Sequence, residues 1–340
     1  MSLPEGVAID GGGVAAACCA HLLGQAGVAT RWRMRERRGV PAIMLSDPAR
    51  ALLRDALARP DLFAENRRIA RRIVAWGGQE PVALPHDAVM LGAGDLDFAP
   101  EQLPGHAEAP GPAARLIIRT DIAAEEPMHR FGDRQGEAAR VQWLRPGEAD
   151  ACFVESVDDG WLFLIPSTAE TGWLLAIGAP CDVLLGQSRH VRARIAPPDT
   201  APARFDTTPR LLDRMATTGM IACGSAAMAF DPICGDGTAL AVRQAILASA
   251  IACALSERGF DGGDEEEMTA HYRAMMVAAM RRHLRLSSEF YATGGTGPWW
   301  RAQQRAIEDG FAALSAVLER TPPPRFALDG FRLIRRELAA

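Results

Sequence analysis

The sequence predicts an α/β protein, on three observations about the order of its elements. Residues 6–34 read as a strand, a glycine turn, a helix and a second strand, which is the βαβ unit of parallel sheets. Short apolar runs within residues 69–91 and 141–178 are typical of a second, mainly antiparallel sheet. Residues 238–320 carry three long helical patterns, so we expect a helical C-terminal region.

Local signals fix the predicted elements in chain order. Apolar runs predict the strands, and apolar residues at helical spacing predict the helices. The second helix should be capped by Ser46 or Asp47. Residues 92–113 are rich in glycine, proline and acids and should be a loop or a connection between domains, and the proline-rich residues 197–209 should be a second connection. The predicted strands cover 6–10, 28–34, 69–74, 82–84, 88–91, 115–119, 141–144, 152–157, 161–165, 173–178 and 220–223, and the predicted helices cover 14–25, 48–58, 238–258, 265–286 and 299–320.

The predicted domains interleave along the chain, because elements of the first sheet return after each insertion. The βαβ-based domain is assigned residues 1–80, 115–140 and 205–260, the sheet domain residues 81–114 and 141–204, and the helical region residues 261–340.

Composition excludes several function classes. A net charge of −5 is unlike that of a nucleic-acid-binding protein. All 37 basic residues are arginines, which excludes Schiff-base chemistry and other lysine mechanisms. The seven cysteines form no CxxC pair, and no secretory signal is recognisable, so we expect a reducing, cytoplasmic location. We expect no membrane span, because Arg243 and Gln244 interrupt the longest helical apolar stretch.

The N-terminal glycine cluster fits a dinucleotide-binding fingerprint. Gly11, Gly12 and Gly13 follow a strand directly, and Ala16 completes the pattern G-x-G-x-x-[G/A] in the following helix. Gly11 allows the tight turn, Gly13 lets a diphosphate approach the backbone, and Ala16 permits close helix–strand packing. The positive N-terminal end of the helix would stabilise the anion. The alternative is a glycine-rich turn without a ligand.

The end of the second strand lacks the acid that holds a ribose in this fingerprint. Met34 stands at that position, and Glu36 would have to shift by two residues to replace it. The three arginines within residues 35–38 would suit a phosphorylated ribose, as in NADP. The alternative is a solvated strand end, with Trp32 and Met34 buried between outward arginines.

A second glycine motif opens the helix predicted at 238–258. A Gly-x-Gly turn at a helix start exposes backbone N–H groups that suit an anionic ring edge or a phosphate. Taken alone, it would be only a turn. The motif consists of Gly224, Ser225, Asp231, Pro232, Gly235, Asp236 and Gly237.

Together, the two glycine motifs resemble those of the FAD-dependent aromatic hydroxylase superfamily, which includes the flavin-dependent halogenases. The family's distal block, G-D-A-A-x-x-x-x-P-x-x-G-x-G, corresponds to residues 224–237 and contacts the ribityl chain and the isoalloxazine edge. Residues 159–166 are similar to the halogenase strand Trp-x-Trp-x-Ile-Pro, with Phe163 at the second Trp. The resemblance implies a Rossmann-like FAD-binding domain, an inserted mainly antiparallel β-sheet substrate domain, and FAD as cofactor. The most similar subgroup is the halogenase-like monooxygenases, including those that modify tryptophan during quinone-cofactor maturation.

Three departures from the family pattern bear on the cofactor. Met34 replaces the ribose-binding acid, Ser225 replaces the aspartate of the distal block, and Arg119-Thr120 stands at the middle Asp-Gly motif. Two lost carboxylates would cost roughly a few kcal/mol of FAD affinity, at about 1.5–3 kcal/mol for each bond to a charged group. The chain is therefore expected to bind FAD weakly or to have lost it.

The lack of lysine narrows the chemistry that the resemblance implies. The family's halogenases use an active-site lysine, so hydroxylation of an aromatic substrate through a flavin hydroperoxide is expected instead. The substrate would be a small molecule or a peptide-bound aromatic such as indole, and NAD(P)H or a separate flavin reductase would supply electrons. His86 is a candidate base, and Trp161 and Phe163 are candidates to line the substrate pocket. Alternatively, these three residues are structural. No metal site is expected.

Two further functions stay open on the same fold. The first is a degenerate flavin-fold protein that serves as a binding or maturation partner without redox activity. The second is a flavin-dependent reductase or dehydrogenase. A dehydrogenase that uses only NAD(P) is disfavoured by the distal glycine block.

Overall fold

The computed structural model describes residues 6–35, 40–92, 94–98, 114–121, 126–258 and 262–336, and its α/β fold confirms the predicted class. Its strands are β1 (Val7–Asp10), β2 (Thr30–Arg33), β3 (Ala42–Ser46), β4 (Arg68–Ala75), β5 (Val82–Gly92), β6 (Leu116–Arg119), β7 (Met128–Arg130), β8 (Gln135–Gln142), β9 (Ala151–Val157), β10 (Gly160–Pro166), β11 (Thr171–Gly178), β12 (Ala203–Asp206), β13 (Arg210–Leu212), β14 (Ala216–Thr217), β15 (Met220–Ala222), β16 (Met228–Ala229), β17 (Phe326–Asp329) and β18 (Arg332–Arg335). Its helices are α1 (Gly13–Gln25), α2 (Asp47–Leu57), α3 (Cys181–Gln187), α4 (Gly237–Glu257), α5 (Gly262–Gly294) and α6 (Pro298–Glu319).

A five-stranded sheet in the order β14-β15-β6-β1-β2 forms the first layer. β1 runs parallel to β2 and β6, and β15 runs parallel to β6, so the carboxyl ends of four strands lie at one edge. α1 packs between this sheet and α4. Its alanines and its two cysteines are buried, because small side chains let helix and sheet approach closely on every side.

An eight-stranded sheet in the order β12-β8-β11-β10-β9-β4-β5-β3 forms the second layer. Its neighbours are antiparallel except β4 and β9, which are parallel. β10 is buried along its whole length. Trp161 and Phe163 join the large core shared with the first layer, whereas Leu162 and Leu164 join a smaller core on the opposite face. The sheet is therefore covered on both faces.

Helices α5 and α6 pack together as the helical C-terminal region, which the hairpin β17-β18 follows. Trp300 near the start of α6 is 1% exposed, and its indole N–H donates to the carbonyl of Val157 at 2.8 Å. This bond attaches the helical region to the second sheet.

One helix in the described residues, α4, is long and apolar enough to cross a membrane by composition. Its most apolar window is 72% buried inside the protein, where it packs against α1 and α2. Helices buried in the core of a protein are commonly apolar, so the length and composition of α4 are only weak evidence that it crosses a membrane.

The predicted elements differ most from those observed at three places in the chain. The strands predicted at 82–84 and 88–91 form one strand, β5, which continues through Pro85. Proline fits there because β3 pairs only with residues 88–92, so no partner on that side needs its missing N–H. The strand predicted at 141–144 belongs to β8, which already starts at Gln135. The first part of β8 is missing from the prediction, because a glycine and charged residues there interrupt the alternation of apolar and polar side chains. Helix α5 continues to Gly294, beyond the predicted end at residue 286.

The sheets divide the chain differently from the predicted domain boundaries. β3 and β4 lie within residues 1–80 and β8 begins within residues 115–140, yet all three belong to the eight-stranded sheet. Chain order cannot reveal this, because the pairing of β4 with β9 joins segments far apart in the sequence. Residues 93 and 99–113 of the predicted connection lie outside the described residues.

Candidate functional site

The glycine loop joins β1 to α1 at the carboxyl edge of the parallel sheet, where ligands of such sheets bind. Gly12 is the N-cap of α1, and Gly11 and Gly13 have φ angles of +124° and +79°. A Cβ at Gly11 would lie 2.4 Å from the Oγ1 of Thr120. Only glycine therefore lets the chain turn so close to the end of β6. Ala16 is fully buried between α1 and its neighbours.

The distal glycine block lies directly beside this loop. Gly224 has a φ of +65°, and a Cβ there would lie 2.9 Å from the Cβ of Ala15 in α1. Its N–H donates to the Oε1 of Gln244 in α4 at 2.8 Å. Since Gly237 is the first residue of α4, the N-terminal ends of α1 and α4 reach the same space. The fold thus unites two motifs from distant parts of the chain.

A cavity of about 310 Å³ lies between the two motifs. This volume is at the lower end of the range for small-molecule sites, about 300–1,000 Å³. Small residues and apolar side chains form its walls, and two helix starts offer backbone N–H groups. The lining includes Gly13–Ala15 from the loop, Gly224, Ser225 and Phe230 from the distal block, and Gly237 and Thr238 from α4.

The residues at this cavity fit the ring and ribityl portion of a flavin. The first turns of α1 and α4 contain no acidic residue, whereas α2 and α5 carry acids of their own there. A ligand would therefore share the partial positive charge of these helix ends with two carboxylates of the chain, Asp121 at Gly12 and Asp236 at the N-cap of α4. A lining that combines apolar side chains such as Phe230 with two helix starts suits a planar aromatic ring with a polar edge.

The fit is poorer at the end of the loop that would hold the diphosphate and the ribose. The carboxylate of Asp121 accepts a hydrogen bond from the N–H of Gly12 at 3.4 Å. Asp10 and Arg35 form a bidentate ion pair across the ends of β1 and β2, at 3.1 and 3.0 Å. Met34 is 44% exposed rather than buried, and Glu36 lies outside the described residues.

The remaining predicted cofactor residues surround the cavity without lining it. Asp236 forms an ion pair with Arg243 at 3.1 Å, and Gly235 makes the turn before α4 with a φ of +63°. Asp231 is fully buried, and Pro232 begins the short 3-10 turn that follows it. Gly11 and Gly12 form the loop before α1, and Ala16 lies in the first turn of that helix.

Asp231 belongs to a buried polar cluster that the sequence analysis did not find. Its carboxylate lies 3.4 Å from a guanidinium nitrogen of Arg134, and both side chains are 0% exposed. The hydroxyl of Tyr291 donates to the same carboxylate at 2.6 Å. The guanidinium also lies over the Tyr291 ring, 4.5 Å from its centroid. Only the aspartate lay in a recognisable motif, because its partners come from β-sheet and helix segments without any local signal.

His283 connects this cluster to the cavity wall. Its Nε2 accepts the backbone N–H of Asp231 at 2.9 Å, so the ring is neutral and carries its proton on Nδ1. The ring stacks on Phe230, with centroids 4.0 Å apart. Burial, with Arg134 as a smaller cause, lowers the pKa of His283 to about 3. Burial raises the pKa of the Asp231 carboxyl.

We expect the depressed pKa of His283 to make the folded state less stable in acid. An unfolded histidine binds a proton below about pH 6.5, whereas the folded His283 stays neutral down to about pH 3. Stability should therefore rise with pH across this window, by up to about 1.4 kcal/mol per pH unit for one group. Urea unfolding of wild type and His283→Gln at pH 7, 6, 5 and 4 measures the contribution.

The comparison with His283→Gln isolates one residue. The raised pKa of Asp231 gives an opposite slope, because the folded state then binds its proton more readily than the unfolded state. Asp231 is present in both proteins, so the difference between their pH profiles reports the change at His283, including its hydrogen bond to Asp231. Equal pH dependence of the two proteins would contradict the prediction.

The predicted substrate residues lie away from the cavity. Trp161 and Phe163 are 1% and 9% exposed and pack into the large core. His86 lies on β5, six residues before the cavity-lining Gly92, which is about 20 Å along a strand. Burial, with Arg72 as a smaller cause, lowers the pKa of His86. Their roles in catalysis and substrate binding stay predictions. Among the described residues, no group of three metal-ligating side chains comes together.

Comparison with known proteins identifies the fold. No protein-family model matches the chain, and no curated protein matches it. Among solved structures, the flavin-dependent halogenase CmlS is similar at a TM-score of 0.74 and 15% identity, covering 94% of this chain and 72% of CmlS. The peptidyl tryptophan dihydroxylase QhpG, essential for tryptophylquinone cofactor biogenesis, gives 0.61 at 18% identity over 89% and 79% of the two chains. The p-nitrophenol 4-monooxygenase PnpA from Pseudomonas putida gives 0.64 at 16% identity over 94% and 98%.

These similarities extend over nearly the whole chain, including both sheets and the helical region. The chain therefore has the fold of the FAD-dependent halogenases and aromatic monooxygenases.

Proposed function

We propose that this protein is a flavin-dependent oxidoreductase, and specifically a monooxygenase that hydroxylates an aromatic substrate. The observation that carries the proposal is the cavity between the two glycine motifs, where Gly224 approaches Ala15 and two helix N-termini converge. A ligand that joins an aromatic ring to a phosphate through a short polar chain matches this arrangement. Flavin nucleotides have that chemistry.

The similar structures support the same class of reaction. QhpG is a peptidyl tryptophan dihydroxylase and PnpA is a monooxygenase of a nitrophenol, so hydroxylation of aromatic rings occurs on this fold. CmlS is a halogenase, but the lysine that the family's halogenases use is absent from this chain. Hydroxylation of a small or peptide-bound aromatic, including indole, is therefore the proposed reaction.

The two glycine motifs would contact different parts of a bound flavin. A bound flavin, reduced by NAD(P)H or by a separate flavin reductase, would supply the redox chemistry with oxygen. Phe230 would pack beside its ring, and the N–H groups of Gly237 and Thr238 would hold the polar ring edge. The N–H groups of Gly13–Ala15 would donate hydrogen bonds to a phosphate.

Spectroscopy of the purified protein tests the proposal. We expect flavin absorbance bands, or a saturable difference spectrum on adding FAD. NADPH or a flavin reductase should then produce peroxide, and the correct aromatic should stimulate NADPH oxidation. Colourless protein that gives no response to any flavin would refute the proposal. A reducible bound flavin that no aromatic stimulates would instead favour a reductase.

One set of observations favours a second candidate, a flavin-fold binding or maturation protein without redox activity. Met34 and Ser225 replace two family carboxylates, while Asp10 and Asp121 add carboxylates beside the glycine loop. These changes would lower the affinity for a dinucleotide. The same flavin titration decides between the two candidates.

A further inference from the structure

A carboxylate of this chain stands where the glycine loop would hold the diphosphate of a dinucleotide. Gly12 is the N-cap of α1, so its N–H is among the donors that the fingerprint offers to an anion. The Oδ1 of Asp121 accepts that N–H at 3.4 Å. The site is thus partly filled by the protein itself.

The surrounding bonds hold the loop against the end of β6. The hydroxyl of Thr120 donates to the carbonyl of Gly12 at 3.2 Å, and the indole N–H of Trp32 donates to the carbonyl of Gly11 at 2.8 Å. A Cβ at Gly11 would lie 2.8 Å from the Cγ of Asp121. The carboxylate is therefore in close contact with the loop at Gly11 and Gly12.

The neighbouring ribose position is also occupied by side chains. Asp10 and Arg35 bridge the ends of β1 and β2, which is where the fingerprint places the ribose. By contrast, Gly13–Ala15 at the start of α1 line the cavity. A single phosphate fits this end of the cavity better than a diphosphate with an adenosine beyond it.

We propose that Asp121 is a specificity residue that disfavours the dinucleotide, so that FMN binds at least as tightly as FAD. The inference rests on the proposed flavin function. FAD would have to displace the carboxylate or accept its repulsion, because two anions would share the N–H groups of one helix start. FMN would keep its only phosphate at Gly13–Ala15 and leave Asp121 in place.

Flavin titrations of matched variants test this inference. Fluorescence quenching gives the dissociation constants of riboflavin, FMN and FAD for wild type, Asp121→Asn and Asp121→Ala. The control is Asp87→Ala, which removes an exposed aspartate that pairs with Arg68 on the second sheet. Wild type should bind FMN at least as tightly as FAD. Both Asp121 variants should bind FAD at least tenfold more tightly, with FMN and riboflavin changed less than threefold and no effect of the control.

The outcomes separate this inference from the proposed function. Tighter binding of FAD than of FMN by wild type would overturn the inference and leave the flavin function standing. A wild-type preference for FMN that both Asp121 variants retain would overturn the role of Asp121. Failure of all three flavins to bind would refute the flavin function itself. The wild-type ratio still decides the specificity if the variants do not fold, and thermal unfolding identifies that case.

Discussion

Replacing Asp231 by asparagine is expected to destabilise the protein by about 3–5 kcal/mol, the usual loss when one partner of a buried ion pair is removed. Asp231 and Arg134 are both 0% exposed, so the remaining guanidinium would have neither its counter-charge nor water. The variant would also lose the charge-assisted bond from the hydroxyl of Tyr291. Urea unfolding at pH 7 measures the change in the free energy of unfolding.

A double-mutant cycle separates the ion pair from packing. Arg134→Met should cost a similar amount, because it leaves the buried carboxylate without its counter-charge. The combined variant should recover a large part of the loss, since neither charge is then uncompensated. Asp87→Asn is the matched control, because its ion pair with Arg68 is exposed and should contribute at most about 1 kcal/mol. A loss below 1 kcal/mol in both single variants would contradict the prediction.

Gly13→Glu is expected to abolish flavin binding while the protein stays folded, with a loss of affinity of at least about 100-fold, or about 2.7 kcal/mol. Gly13 lines the cavity and begins α1, so the new carboxylate would enter the space of an anionic ligand. Flavin titration measures the affinity, and thermal unfolding verifies the fold.

Gly13→Ala controls for the backbone. The φ of +79° at this position disfavours any side chain, by about 1–2 kcal/mol. Both variants should therefore lose similar stability, but only the glutamate variant should lose the flavin. Normal flavin affinity in Gly13→Glu would refute the placement of the site.

The two glycine motifs illustrate what the local sequence can predict. Gly11–Gly13 directly follow an apolar strand and precede a small-residue helix, so the βαβ unit and its turn are specified within the first 34 residues. The turn formed by Gly235-Asp236-Gly237 likewise predicts where α4 starts. Neither motif alone predicts how close the two motifs lie in the folded protein. Only the packing of α1 against α4 brings Gly224 beside Ala15 and encloses the cavity.

Sheet membership and the buried cluster depended on contacts between distant segments. β4 gives a good strand signal, but its parallel pairing with β9 decides which sheet it joins. Asp231 belongs to a recognisable motif, but nothing in the sequence links it to Arg134 or Tyr291; the three side chains form a buried charged cluster only where their segments meet. Asp121 is a further case, since its bond to Gly12 spans 109 residues.

The sequence by itself determined the α/β class, the glycine turn after the first strand, the order of strand-rich and helical regions, and the lack of lysine chemistry. These follow from residue composition and local periodicity, which act over a few turns of chain. The tertiary structure alone decided the cavity, the burial of Asp231 with Arg134, and the carboxylate on the glycine loop. Each of these depends on side chains from distant segments that long-range packing brings within a few ångströms of one another. The local periodicity of the sequence does not indicate which distant side chains will meet.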